Sequence, residues 1–154
     1  MTSLTDALYH AKYNPFKYGE FLASFYSELI SVDNNLLLSQ LIIPLCSHPL
    51  YFHKLSNAKF GSKSKSTIWT VFNDRSQLYD LQERLDGFKS LTDQGLQYCL
   101  VNDWVEIDSE NLGVNPIPTS ELSFVKQKSA VNLGKLFSHL SVVEIYALLG
   151  VTPR

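Results

Sequence analysis

Apolar residues at 81, 85 and 88, and again at 96, 98, 99, 100 and 101, mark two helical stretches in the middle of the chain, because that spacing sets one face of a helix against a core. Gly87 and Ser90-Leu91-Thr92 interrupt the first face. Thr92 followed by Asp93 reads as an N-cap with an acid in the first turn, where the helix dipole favours negative charge. Val105-Glu106-Ile107-Asp108 then alternates apolar and polar positions, as a strand with one buried face does. Ser109-Glu110-Asn111 has turn chemistry, and Leu112-Gly113-Val114 can pair back across it. Residues 79–116 therefore predict helix, turn, helix and hairpin, a winged-helix-like corner.

The preceding residues predict further helices. Residues 1–13 carry little pattern and read as a short helix or a lead-in. Asn14-Pro15 pairs a good N-cap with a first helical residue that needs no N–H. Behind it, apolar positions at 18, 21, 22, 25, 26, 29 and 30 point Phe21, Phe25, Tyr26 and Leu29 to a core. After the Asp33-Asn34-Asn35 loop, residues 36–45 are apolar nearly all round. Such a helix is buried on most sides, or buried on one side and bound to a partner on another; a buried strand over 41–45 is the competing reading. Pro44 should kink or end the helix near Ile43. Trp69, within the apolar run 67–72, reads as a core anchor.

Downstream of the hairpin, Asn115-Pro116-Ile117-Pro118 is a stiff extended linker. Ser120 can cap a helix with apolar positions at 122, 125, 130, 133, 136, 137 and 140, in which Gly134 marks a close backbone approach. Ser141-Val142-Val143-Glu144 starts a last helix that Gly150 ends. The fold class expected is mainly α with a small β-hairpin, one domain over 1–154 made of the winged-helix-like corner at 79–116 and a C-terminal helical segment at 120–150.

Charge decides how the corner is read. Asp80, Glu83, Asp86, Asp93, Asp103, Glu106, Asp108 and Glu110 stand against Arg84 and Lys89 alone, and 92–103 holds neither Lys nor Arg. A helix lying among phosphates needs such cations, so a corner that contacts protein, or that is simply part of a helical core, fits better than one that reads DNA. The net charge of −2 adds no general attraction to nucleic acid or acidic membranes. The one basic patch is Lys54, Lys59, Lys63 and Lys65, either a solvated loop or a set of phosphate contacts. No apolar run approaches a membrane span, and the first ten residues lack the pattern of a secretion signal.

Catalytic and metal motifs are missing from the sequence. His10, His48, His53 and His139 are scattered, without the spacing that zinc ligands need. Neither a phosphate-cradling glycine loop nor a nucleophile elbow occurs. Cys46 and Cys99 lie far apart inside apolar patterns, as free buried thiols of a cytoplasmic protein would. The expectation is a protein that is no enzyme and takes no cofactor. Its candidate partner contacts are Leu37, Leu38, Leu41 and Ile42 on the apolar helix and Trp104 beside the hairpin.

The order of these features carries a resemblance. Asn14-Pro15 opens an apolar helix, and a leucine-rich run ends in Leu41-Ile42-Ile43-Pro44-Leu45 with His48 close behind. Thr92, Gly95 and Leu96 lead into a strand, and Ala130-Val131-Asn132-Leu133-Gly134-Lys135-Leu136-Phe137 precedes Leu149-Gly150-Val151-Thr152-Pro153. The chain thereby resembles, over residues 14–153, the middle component of bacterial three-component ABC systems, a group that includes Lamassu-type antiphage defence. The resemblance implies a non-catalytic adaptor between an SMC- or Rad50-like ABC ATPase and an effector, often a nuclease, held inactive until foreign DNA is sensed. A regulator that contacts DNA phosphates through the lysine loop is the alternative, and an enzyme whose site only the fold assembles comes last.

Overall fold

Ser3 starts a short helix (α1, Leu4–Lys12) with a reciprocal capping box: its Oγ accepts from the Asp6 N–H at 3.1 Å, and the Asp6 carboxylate accepts from the Ser3 N–H at 3.4 Å. No residue of α1 is buried. Asn14 then begins the central helix (α2, Pro15–Glu28), its Oδ1 accepting from the Lys17 N–H at 2.8 Å with Pro15 in the first turn. This computed structural model describes residues 3–61, 65–118 and 123–154; Lys63, Ser120 and Leu122 lie outside the described residues.

A 3-10 turn (Asn35–Leu38) feeds α3 (Ser39–Cys46), and His48 caps α4 (Pro49–Ser56). The cap needs an unprotonated ring, since His48 Nδ1 accepts from the Leu50 N–H at 3.2 Å. Burial first, and the nearby Arg84 cation second, hold the His48 pKa below its ordinary value. Pro44 sits inside α3, which continues to Cys46 instead of stopping near Ile43. The Pro44 carbonyl accepts from the Arg84 guanidinium at 3.0 Å, and the same guanidinium reaches Ser47 Oγ at 2.9 Å.

A short helix (α5, Ile68–Val71) and a second 3-10 turn (Arg75–Leu78) lead into α6 (Leu81–Val101). Here the helix-turn-helix expectation is corrected. Residues 81–101 form one unbroken helix through Gly87 and Thr92. Its buried positions are Leu81, Leu85, Phe88, Thr92, Gly95, Leu96 and Cys99, so Thr92 is not a cap but the middle of one continuous buried stripe. Packing of that stripe on α2 and α3 overrides the local break signals. Without the turn between two helices, the winged-helix-like corner is reduced to a long helix and a hairpin.

The hairpin itself forms as expected, β1 (Val105–Asp108) antiparallel to β2 (Gly113–Pro116) with Ile107 opposite Val114. Asp108 organises its turn, Oδ1 accepting from the Glu110 and Asn111 N–H groups at 3.1 and 3.3 Å and Oδ2 from Asn111 Nδ2 at 2.7 Å. These bonds hold the Asp108 pKa below its ordinary value.

The C-terminal segment is shorter in helix than its pattern predicts. α7 (Lys128–Phe137) begins only after residues 123–127 have run along α2 in non-helical form. That stretch is pinned there: the Val125 N–H donates to Glu20 at 3.1 Å, and the Gln127 N–H donates to Ser24 Oγ at 2.9 Å. The last helix (α8, Val142–Leu149) is capped by Ser141 and ended by Gly150 at φ 72°, as its sequence predicts. α2 lies at the centre, against α6 on one side and α7 on the other, and the buried apolar side chains form one cluster from Tyr18 to Val151. Among the described residues no helix is long and apolar enough to cross a membrane.

Candidate partner surface

The apolar helix at 36–45 lies inside the molecule. Leu38, Leu41 and Ile42 are fully buried and Leu37 half-buried, enclosed by α2, α4, α6 and α7. Trp104 is buried as well, its ring edge-on to Tyr98 at 5.2 Å and tilted against Phe124 at 5.1 Å. The residues expected to meet a partner therefore meet the chain's own core. Their hydrophobicity signalled burial, and periodicity cannot separate a face covered by the same chain from one covered by another.

Trp69 reverses in the opposite direction. Expected in the core, its side chain is 64% exposed, on a helix held by Thr67, whose Oγ1 accepts from the Thr70 N–H at 3.3 Å. The same helix turns Ile68 and Val71 inward. Opposite it runs α8, whose inner face buries Val142, Ile145, Tyr146 and Leu149 while Val143 is 78% exposed, Ala147 is exposed and Leu148 half-buried. Glu144 is the only ionisable residue on the outer face of α8.

Between α5 and α8 opens a groove of about 420 Å³, with Trp69 and Ile68 on one wall, Ala147 and Leu148 on the other, and Leu140 at one end. A second hollow of about 240 Å³ continues it past Phe72 and Leu149. Arg75 and Glu144 both line the larger groove, and among the described residues neither takes part in an ion pair. The arrangement is an apolar cleft with one cation and one anion at its rim. Partner and ligand sites commonly combine apolar walls with a few placed polar groups. The sequence held a signal for it: α8 is apolar on every side apart from Glu144 and Tyr146, the pattern that residues 36–45 also show.

The described lysines of the basic stretch differ in their surroundings. Lys54 is half-buried, and its Nζ donates to the Val71 carbonyl at 3.3 Å and to Asn73 Oδ1 at 3.1 Å, joining α4 to the end of α5. Lys59 and Lys65 are exposed, Phe60 pairs with Lys65 in an isolated antiparallel bridge, and the Ser66 N–H donates to the Lys59 carbonyl at 2.6 Å. Lys63 belongs to the residues not described. Both thiols are buried, and Cys99 Sγ donates to the Gly19 carbonyl at 3.1 Å. No three His, Cys, Asp or Glu side chains among the described residues come together as a metal set.

No curated protein and no solved structure matches the chain. Residues 2–153 match the family described as ABC-three component (ABC-3C) system Middle Component 3. That match spans almost the whole sequence and agrees with the resemblance carried by the Asn14-Pro15, Pro44-Leu45 and Leu133-Gly134 elements. The chain belongs to the Middle Component 3 family of ABC-three component systems.

Proposed function

We propose that this middle component is a non-catalytic, cytoplasmic adaptor that bridges an SMC- or Rad50-like ABC ATPase and an effector nuclease in an antiphage or anti-plasmid defence complex of the Lamassu type, restraining the effector until foreign DNA is sensed. Membership of a three-component family over residues 2–153 carries the reading. The exposed cleft beside Trp69 supports it, since an adaptor must offer apolar surface to another chain. The test is affinity purification of the tagged chain from cells expressing its flanking genes. Recovery of a coiled-coil ATPase and a second protein in fixed ratio is expected; recovery of the chain alone as a monomer overturns the proposal.

The alternative, a regulator that contacts DNA phosphates, retains Lys59 and Lys65 as exposed cations on one loop, with Lys63 between them in sequence. Lys54 serves it less well, being engaged by Val71 and Asn73. Phosphate contacts release counterions, so this reading requires binding by the isolated chain that weakens steeply with salt. A gel-shift series from low to moderate salt with Lys59→Ala and Lys65→Ala distinguishes the two. The adaptor reading expects little binding and no effect of either substitution on assembly.

A further inference from the structure

We infer that the groove between α5 and α8 seats an amphipathic α-helix of another subunit, one that presents a large apolar side chain between Trp69 and Leu148, an acid to Arg75 and a base to Glu144. The inference rests on the adaptor reading and names the surface it would use. The walls dictate the shape of the occupant. Both are helical, a single turn capped by Thr67 on one side and two turns capped by Ser141 on the other, so neither presents the row of outward N–H and C=O groups that a sheet edge offers. An extended peptide lying there would find no regular ladder of backbone partners and would bury most of its N–H and C=O groups unpaired. A helix satisfies its own backbone and needs only side-chain contacts, the mode in which amphipathic helices fill apolar grooves.

The rim dictates the chemistry. Arg75 and Glu144 lie in the same cleft, and among the described residues neither is ion-paired. A purely anionic partner such as nucleic acid would satisfy Arg75 and be repelled by Glu144; a purely cationic one would meet the reverse. An occupant with both charges beside an apolar centre satisfies the pair. A second copy in a symmetric dimer fits poorly, because two concave grooves placed face to face leave both unfilled.

The experiment uses the full chain carrying Ala147→Cys, with and without the co-expressed products of its flanking genes. Cys46 and Cys99 are buried, so the introduced thiol is the one open to iodoacetamide at neutral pH. Alkylation is read from the mass of this chain. We expect modification at least tenfold slower in the complex than in the free chain, and weaker assembly with Arg75→Glu or Glu144→Arg at unchanged melting temperature. A complex that forms with the thiol fully reactive and both charge reversals tolerated overturns the groove while leaving the adaptor reading intact. Failure of any complex to form defeats the adaptor reading and the inference with it. Protection that rises with the concentration of the chain alone, at the mass of a dimer, overturns the inference in favour of self-association.

Discussion

A Cβ built on Gly134 would lie 2.6 Å from the Phe25 carbonyl oxygen, with Leu29 N and Glu28 Cβ at 3.4 Å. The first of these is backbone of the central helix and cannot rotate away, so α7 and α2 can approach only through a glycine. Gly87 lies on α6 with nothing within 4 Å of the same construction. One substitution at the two sites therefore has opposite signs. Gly134→Ala should lose about 1–3 kcal/mol by overpacking, whereas Gly87→Ala should gain about 0.5–1 kcal/mol by relieving backbone entropy in a helix. Thermal unfolding of both variants checks this; equal and small shifts would mean that α7 does not sit where Phe25 places it. The sequence made Gly134 legible because it interrupts an otherwise strong stripe. Gly19 reads from sequence as a tolerated weakness in its helix, yet a Cβ on it would come within 2.8 Å of Tyr98, and one on Gly95 within 2.8 Å of Leu22. Nothing local distinguishes a glycine needed for helix contact from one merely tolerated.

Individual elements show how a local signal yields to packing. The sequence reads Thr92 as an N-cap by residue type, whereas its place between Phe88 and Leu96 puts it on the buried stripe of α6. The structure buries it, and among the described residues its Oγ1 has no hydrogen-bond partner. Removing that hydroxyl while keeping the shape should help: Thr92→Val is expected to stabilise by roughly 1 kcal/mol, because an unpaired buried hydroxyl is costly and an isosteric apolar group is not. A urea midpoint that falls instead would mean that the buried hydroxyl makes a stabilising hydrogen bond. The hairpin depends on an element distant in sequence. Asn35 Oδ1 accepts from the Val114 N–H at 2.7 Å, its carbonyl accepts from Tyr26 OH at 2.8 Å, and the Leu36 N–H donates to Leu112 at 2.8 Å. Asn35→Ala should cost about 1–2 kcal/mol by leaving the Val114 N–H unpaired, with faster hydrogen exchange at that amide. The alternation in 105–108 disclosed the strand, but no pattern discloses which loop residue reaches back to hold it.

At the scale of the molecule, the mainly α architecture with one hairpin was readable because helical stripes, caps at Asn14 and Ser141 and the Gly150 stop are short-range signals. Which apolar helix stays open was not, since it depends on what the other elements cover; α3 is enclosed and α8 keeps one side open. The enclosure also sets how the protein responds to pH. Burial pushes the Cys46 and Cys99 thiols to about 12, and likewise Tyr18 and Tyr51 to about 12. Tyr26 and Tyr146 are raised for the same cause; their hydroxyls donate to the Asn35 and Leu37 carbonyls. In the unfolded chain these groups titrate near their ordinary values, about 8.5 for thiols and about 10 for phenols. The folded pKa values are the higher ones, so the unfolded state loses protons first as pH rises. The stability these groups contribute is complete below the unfolded values and drains away as pH climbs towards the folded ones. The urea midpoint should therefore be insensitive to these groups up to about pH 8 and fall progressively between about pH 9 and 12, in step with those reference values. At neutral pH, both thiols should react with a water-soluble disulfide reagent only as fast as the protein opens, and at once in denaturant. A midpoint unchanged to pH 11, or thiols modified rapidly in the native protein, would place these side chains at the surface and leave α2 without the core that holds it between α6 and α7.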